Sequence, residues 1–248
     1  MTQIRASEFA NLDKIWHLRQ TKLVEGLDDD DLRDMEEISK DRIYGKGEQI
    51  FARGESANQV YILFRGCVRA AVGSESGKER IVGIFKAGDI LGENVLGSRP
   101  VQQATAVAHE ECWIATISSA DFVDLLERRP KVALNFIQIL SQKLAEARED
   151  IATLSFLGTQ QRLAKTLLKL GINHGNEITS QESVRKLRFP LSHEHLARLI
   201  GANRPHVSTI MSDFRKRGWI HYQGRKLLIN MRDMASLSDS AVNGNYTF

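Results

Sequence analysis

From Ser192 to Arg217, apolar residues fall at Leu196, Ile200, Val207 and Ile210, spaced as the inner faces of two helices. Ala197 is small where the two helices would cross, and Gly201 lies between them. Ser192 and Asn203 carry side chains able to cap the two helices, and Pro205 falls in the first turn of the second, where it is tolerated. The pattern predicts helix, tight glycine turn, helix, a unit whose second helix enters a DNA major groove.

Between Asp41 and Ser118 the pattern changes to short β-rich runs at Gln59–Phe64, Gly66–Val72, Arg80–Phe85 and Cys112–Ile117. Gly45, Gly47, Gly54, Gly66, Gly77, Gly88, Gly92 and Gly97 punctuate them and are expected at positive-φ turns, with Ser76-Gly77 as a hairpin turn. This predicts a many-stranded antiparallel barrel or jelly roll with an interior able to hold a small ligand. Ahead of it, residues 1–25 read as a loosely helical lead-in with apolar contacts at Ile15, Trp16, Leu18 and Leu23 and no legible function, followed by a short helix from the acidic run at Asp28 through Ile38.

A serine at 118 or 119 can cap a helix through Arg128, and Pro130 starts a longer one. Along the latter, Ala133, Ile137, Leu140, Leu144, Ala147, Ile151 and Leu154 recur at alternating spacings of four and three, the seam of a coiled coil. A helix of about 25 residues, about 37 Å long, outruns one small domain, so the stripe predicts a homodimer. Ser155–Thr159 reads as a hinge, with Thr159 capping a helix striped by Leu163, Leu167 and Leu170, and Asn173–Glu177 as a polar loop. After the helix pair, Gly218 ends the second helix, and Trp219–Tyr222 with Leu227–Asn230 predict a hairpin wing around Gln223-Gly224-Arg225-Lys226; residues from Ser236 onward read as a frayed polar tail.

Charge sharpens the picture. The chain has 248 residues and a formal net charge of +3, but residues 159–248 hold 14 Lys/Arg against 6 Asp/Glu, while residues 1–158 hold 20 against 25. The cation excess therefore belongs to the helix-turn-helix half, as phosphate neutralisation requires. No apolar run of about eighteen residues and no signal-peptide core is present, so no membrane partner and a cytoplasmic location are expected. Cys67 and Cys112 sit in apolar runs and read as buried small side chains, and two cysteines cannot hold a four-cysteine iron–sulfur cluster. His109 is the one histidine of the barrel, too few for a two-histidine, one-carboxylate metal site; His193 and His195 point to different helix faces and make no metal pair; no nucleophile elbow, Walker loop or dinucleotide glycine motif occurs. No metal site and no enzyme activity are expected.

On the second helix, Val207, Ile210, Met211 and Phe214 share the inner side, which leaves Pro205, Thr209, Ser212 and Lys216 opposite, flanked by Arg204, His206 and Ser208. Arg204, Pro205, His206, Ser208 and Thr209 are the expected base-reading set, with Arg204 foremost because its fork matches guanine O6 and N7. Ser192, His193, Asn203, Ser212, Lys216, Arg225 and Lys226 are the expected phosphate contacts.

The order glycine-rich barrel, heptad helix, hinge, winged helix-turn-helix resembles the cyclic AMP receptor/FNR (Crp/Fnr) family of bacterial transcription regulators over about residues 20–235. The resemblance implies an α+β protein: a cyclic-nucleotide-binding-like jelly roll at 20–130, a dimerisation helix and hinge at 131–157, a winged helix-turn-helix at 158–236 and a tail at 237–248. It also implies a small effector in the jelly roll, a homodimer on palindromic double-stranded DNA, and RNA polymerase as a partner. Cyclic-nucleotide-binding members carry Gly-Glu near a short helix and, about ten residues later, Arg-Ser-Ala. Here Gly92, Glu93 and Asn94 match the first part, whereas Gln102, Gln103 and Ala104 supply no arginine, and Arg99 lies upstream. Losing that charge-assisted contact to a phosphate costs about 2–5 kcal/mol, so cyclic AMP is not the expected effector and its identity stays open. A cyclic-nucleotide-responsive regulator with a divergent phosphate pocket, or a ligand-binding module without DNA function, are the alternatives. Where the family commonly reads Arg-Glu-Thr-Val-Ser-Arg, residues 204–209 read Arg-Pro-His-Val-Ser-Thr, so a different half-site is expected.

Overall fold

The computed structural model describes residues 13–74, 79–178 and 181–239. The chain divides into two compact units, Met1–Ala145 and Glu146–Phe248; the boundary falls inside the long helix rather than at the Ser155–Thr159 hinge expected from Gly158.

In the first unit, helix α1 (Lys14–Arg19) and α2 (Asp29–Ile38) precede strands β1 (Ser39–Tyr44), β2 (Gln49–Phe51), β3 (Gln59–Arg65), β4 (Cys67–Gly73), β5 (Glu79–Lys86), β6 (Ile90–Leu91), β7 (Thr105–Ala108) and β8 (Cys112–Ser118), then α3 (Ser119–Arg128) and the start of α4 (Pro130–Phe156). The strands form two antiparallel four-stranded sheets, ordered β1-β8-β3-β6 and β2-β7-β4-β5. This is the jelly roll, and the fold class is α+β as the sequence implied. Asp28 caps α2 by accepting the Asp31 N–H, and Ser118 caps α3 by accepting that of Asp121.

Two clusters hold this unit. One joins Phe64 and Trp113 of the first sheet to Phe122 and Leu125 of α3 and to Val132 and Phe136 of α4. It also explains the lead-in, whose Leu18 and Leu23 are fully buried in it while Trp16 stays largely outside. Buried Asn135 fastens that segment by donating to the Leu23 and Glu25 carbonyls, each at 2.9 Å; an unpaired amide there would cost roughly 1–3 kcal/mol. The second cluster packs Tyr44, Phe51, Tyr61, Leu63, Val68, Leu91 and Ile114, drawn from both sheets, against one another. Cys67 and Cys112 are buried free thiols, and burial pushes the Cys112 thiol up to about 11.

Local differences from the sequence pattern have physical causes. Positive φ occurs at Gly47, Gly54, Gly66, Gly88 and Gly92, but Gly97 is extended at −73° and Gly45 is outside the positive set. Ser76-Gly77 lies outside the described residues. Gly158, not Thr159, is the N-cap of α5 (Thr159–His174), and its N–H donates to Gln161 Oε1 at 3.1 Å.

The second unit continues with β9 (Gly175–Ile178), β10 (Gln181–Leu187), α6 (His193–Ile200), α7 (Arg204–Lys216), β11 (Ile220–Gln223), β12 (Lys226–Asn230) and α8 (Met231–Asp239). The expected polar loop at Asn173–Glu177 is the end of α5 and strand β9, because β10 offers it a pairing partner. The wing is part of a four-stranded sheet, β11-β12-β10-β9. The expected fray from Ser236 is helical through Asp239, with Met234 fully buried nearby; the later part of the 237–248 tail lies outside the described residues.

Candidate nucleic-acid interface and effector site

Three caps shape the DNA-facing unit. Ser192 Oγ accepts the His195 N–H at 3.1 Å and starts α6. Gly201 stops it in the left-handed region, φ 65°, where a side chain would be strained. Asn203 Oδ1 then accepts the His206 N–H at 3.0 Å and starts α7. These few residues fix the angle at which α7 leaves the turn.

Packing sorts α7 into two faces. Val207, Ile210, Met211 and Phe214 are buried, while Arg204, Pro205, His206, Thr209, Ser212 and Lys216 are exposed. Arg204 is the first helical residue, at the end where backbone N–H groups favour an anion. The Thr209 hydroxyl donates back to the Pro205 carbonyl at 3.2 Å, within its own helix. Ser208, Thr209, Ser212, Asp213 and Lys216 line a shallow groove along this face. Its one acid, Asp213, is paired with Arg217 at 3.0 Å, which offsets the repulsion a phosphate would meet.

The wing lies beside this face. β11 and β12 pair from Ile220↔Ile229 to Gln223↔Lys226, leaving Gly224 and Arg225 at the tip, with Arg225 and Lys226 exposed. From β10, Lys186 Nζ donates to Gln223 Oε1 at 2.7 Å and steadies the hairpin. His193, among the expected phosphate contacts, has both ring nitrogens near side chains of other elements. Its ring is half-buried, with Nδ1 2.9 Å from Ser208 Oγ and Nε2 3.1 Å from the Tyr222 hydroxyl. Burial, then the charge of Arg204, lowers its pKa below the ordinary 6.5. Ser208, expected among the base readers, is its partner. Tyr222 and Lys186 carried no sequence signal for these contacts, since each partner lies on another element, whereas the i,i+4 spacing of Asp213 and Arg217 could have signalled their pair.

In the jelly roll, Gly92 has φ 81° and a Cβ there would fall 2.6 Å from the Gln59 carbonyl oxygen, so only glycine fits. Glu93 opens a short 3-10 helix (Glu93–Leu96), and its carboxylate meets Lys143 Nζ of α4 at 3.0 Å. The same ammonium donates to the Ile90 carbonyl at 2.8 Å and lies 5.3 Å from the centre of the Phe85 ring. Nearby, burial raises the Asp89 pKa. Gln102 is buried and trades backbone hydrogen bonds with Glu55 and Gly54, Gln103 reaches only the Val101 carbonyl, Ala104 and Asn94 are half-buried, and Arg99 is exposed.

The seam of α4 is open along much of its length: Ile137, Leu144 and Ile151 are 56%, 53% and 64% exposed, joined by Leu134 and Phe156. Ala133, Leu140 and Leu154 are half-buried, and Ala147 is exposed. Among the described residues, no helix is long and apolar enough to cross a membrane, and no cluster of three or more His, Cys, Asp or Glu could hold a metal.

Comparison with known proteins agrees with this architecture. Residues 41–129 match the cyclic nucleotide-binding domain family and residues 161–240 the Crp-like helix-turn-helix domain family. The cyclic AMP receptor protein of Thermus thermophilus is 30% identical over 177 residues, 71% of this chain and 77% of that protein. A CRP-like cAMP-activated global transcriptional regulator of Mycobacterium tuberculosis is 26% identical over 187 residues, 75% of this chain and 82% of its own length. Of solved structures, FixK2 from Bradyrhizobium japonicum shares the fold with a TM-score of 0.71 at 20% identity, over 81% of this chain and 97% of that one. The c-di-GMP responsive regulator CLP of Xanthomonas campestris does so with 0.69 at 22% identity, over 82% and 99%. The chain belongs to the Crp/Fnr family of transcription regulators.

Proposed function

We propose that the chain works as a cytoplasmic homodimer that reads a two-fold DNA site through α7 of each protomer, with Arg204 as the principal base reader, and that it acts on transcription together with RNA polymerase. The observation that carries this is the sorting of α7: an apolar row buried in its own unit and a polar row, headed by Arg204, left on the outside. Pro205, His206 and Thr209 complete the reading face. Ser192, Asn203, Ser212, Lys216, Arg225 and Lys226 hold the backbone. The open seam of α4 supplies the dimer contact, through Ile137, Leu144 and Ile151 above all, with Ala133, Leu140, Ala147 and Leu154 beside them.

Salt dependence tests the DNA reading. Lys216, Arg225 and Lys226 give three phosphate-facing cations per protomer, so a dimer should show a slope of log affinity against log salt of about −5. A slope near zero, or no binding, would leave a ligand-binding module without DNA function.

The jelly-roll site is the place for a small effector in this reading, and cyclic AMP is not the ligand proposed for it. Two relatives carry cyclic AMP in their names, but in this chain Glu93 is already engaged by Lys143 and residues 102–104 offer no cation. In thermal-shift measurements, 1 mM cyclic AMP should leave the melting temperature of this protein unchanged, whereas a ligand at a hundred times its Kd stabilises by about 2.7 kcal/mol. A rise of several degrees would establish the divergent nucleotide pocket instead.

A further inference from the structure

The contacts around His193 span three elements. His193 begins α6, Ser208 lies in the middle of the recognition helix α7, and Tyr222 is on wing strand β11. The ring nitrogens stand 2.9 Å and 3.1 Å from the two hydroxyl oxygens, so one imidazole closes a hydrogen-bonded chain from recognition helix to wing.

Counting protons constrains what that chain can do. A neutral imidazole has one N–H and one lone pair, and each hydroxyl brings one proton. Of the three protons, two are consumed within the chain. If Ser208 donates to Nδ1, then Nε2–H donates to Tyr222 and the phenol proton is left to point outward. If Tyr222 donates to Nε2, then Nδ1–H donates to Ser208 and the serine proton is left over. A phosphate oxygen only accepts, so whichever hydroxyl touches the DNA backbone sets the tautomer and removes the other as an outward donor. Burial, then the charge of Arg204, lowers the ring's pKa and favours the neutral imidazole that this count assumes.

We propose that His193, Ser208 and Tyr222 form a relay that docks the recognition helix against the wing and lets only one of the two hydroxyls donate to DNA at a time, so that Ser208 positions the helix in place of reading a base. The proposal rests on the DNA reading above. It makes His193 and Tyr222 positioning residues that hold the recognition helix against the wing, with no phosphate contact required of the imidazole.

Two isosteric variants test it, Ser208→Ala and Tyr222→Phe, measured with the double variant in the full chain on a duplex selected from random sequence. Each single variant should weaken binding roughly 3- to 30-fold, the double variant should lose no more than the worse single, and neither should relax preference at any one base pair. Losses that multiply, or relaxed preference at one base pair in Ser208→Ala alone, would overturn the relay. Nitrogen NMR of the imidazole in the DNA-free protein gives a second reading: Ser208→Ala should shift the Nδ1 resonance and Tyr222→Phe the Nε2 resonance, and unmoved signals would overturn the relay. Failure of the DNA reading would show separately, as a parent protein that binds no duplex.

Discussion

Replacing Leu144 by glutamate should convert the protein to monomers of about 28 kDa that keep their fold and lose tight binding to a two-fold site. Leu144 is 53% exposed on the single chain, so the substitution leaves no cavity in the protomer's own core. In a parallel two-fold seam it faces its own copy, and one change therefore removes two leucines from the contact and places two carboxylates there. Burial of each leucine is worth about 1.5–3 kcal/mol, so the dimer should weaken by about two to four decades before the charge repulsion is counted. Sedimentation velocity gives the mass, and circular dichroism checks the fold. An undiminished dimer would show that the dimer contact lies elsewhere than at Leu144 of α4. Lys143, one residue earlier, makes a useful contrast: its side chain turns to Glu93 and Ile90, so the adjacent positions serve different partners.

Replacing Arg204 by alanine should cost about 1–3 kcal/mol on the preferred duplex, a loss of roughly 5- to 150-fold, and little on random DNA. The asymmetry comes from geometry. A guanidinium forked onto guanine O6 and N7 loses both bonds with the wrong base, whereas a backbone contact is the same on every sequence. Competition gel shifts with selected and random duplexes measure the ratio, and equal losses on both would reassign Arg204 to the backbone. Pro205 and Thr209 make the wider consequence testable too: a proline offers no hydrogen-bonding side chain, and the Thr209 hydroxyl is turned to the Pro205 carbonyl, so the family's usual half-site should not be the preferred one.

Much of the DNA-facing unit was legible because its determinants are local. Ser192, Gly201 and Asn203 act on backbone groups within a few residues, so capping chemistry together with the apolar spacing located both helices. The same holds for Asp28, Ser118 and the wing turn at Gly224. What escaped was non-local. β9 and β10 carry polar residues such as Asn176, Glu177 and Arg185, and pairing of β10 with both β9 and β12 makes them strands. The side-chain contacts of His193 were not legible because Ser208 and Tyr222 are 15 and 29 residues away. Glu93 matched a nucleotide-site motif while its partner Lys143 lay fifty residues on. A motif states which side chain is present; packing decides what holds it.

The most direct measurement of the central claim is selection from a random duplex library by the full-length protein. The account predicts enrichment of an inverted repeat whose half-sites lie about one helical turn, roughly 34 Å, apart, with a strong guanine preference in each half-site that disappears with Arg204→Ala. A library that emerges unenriched, or that yields single half-sites without two-fold symmetry, would contradict it.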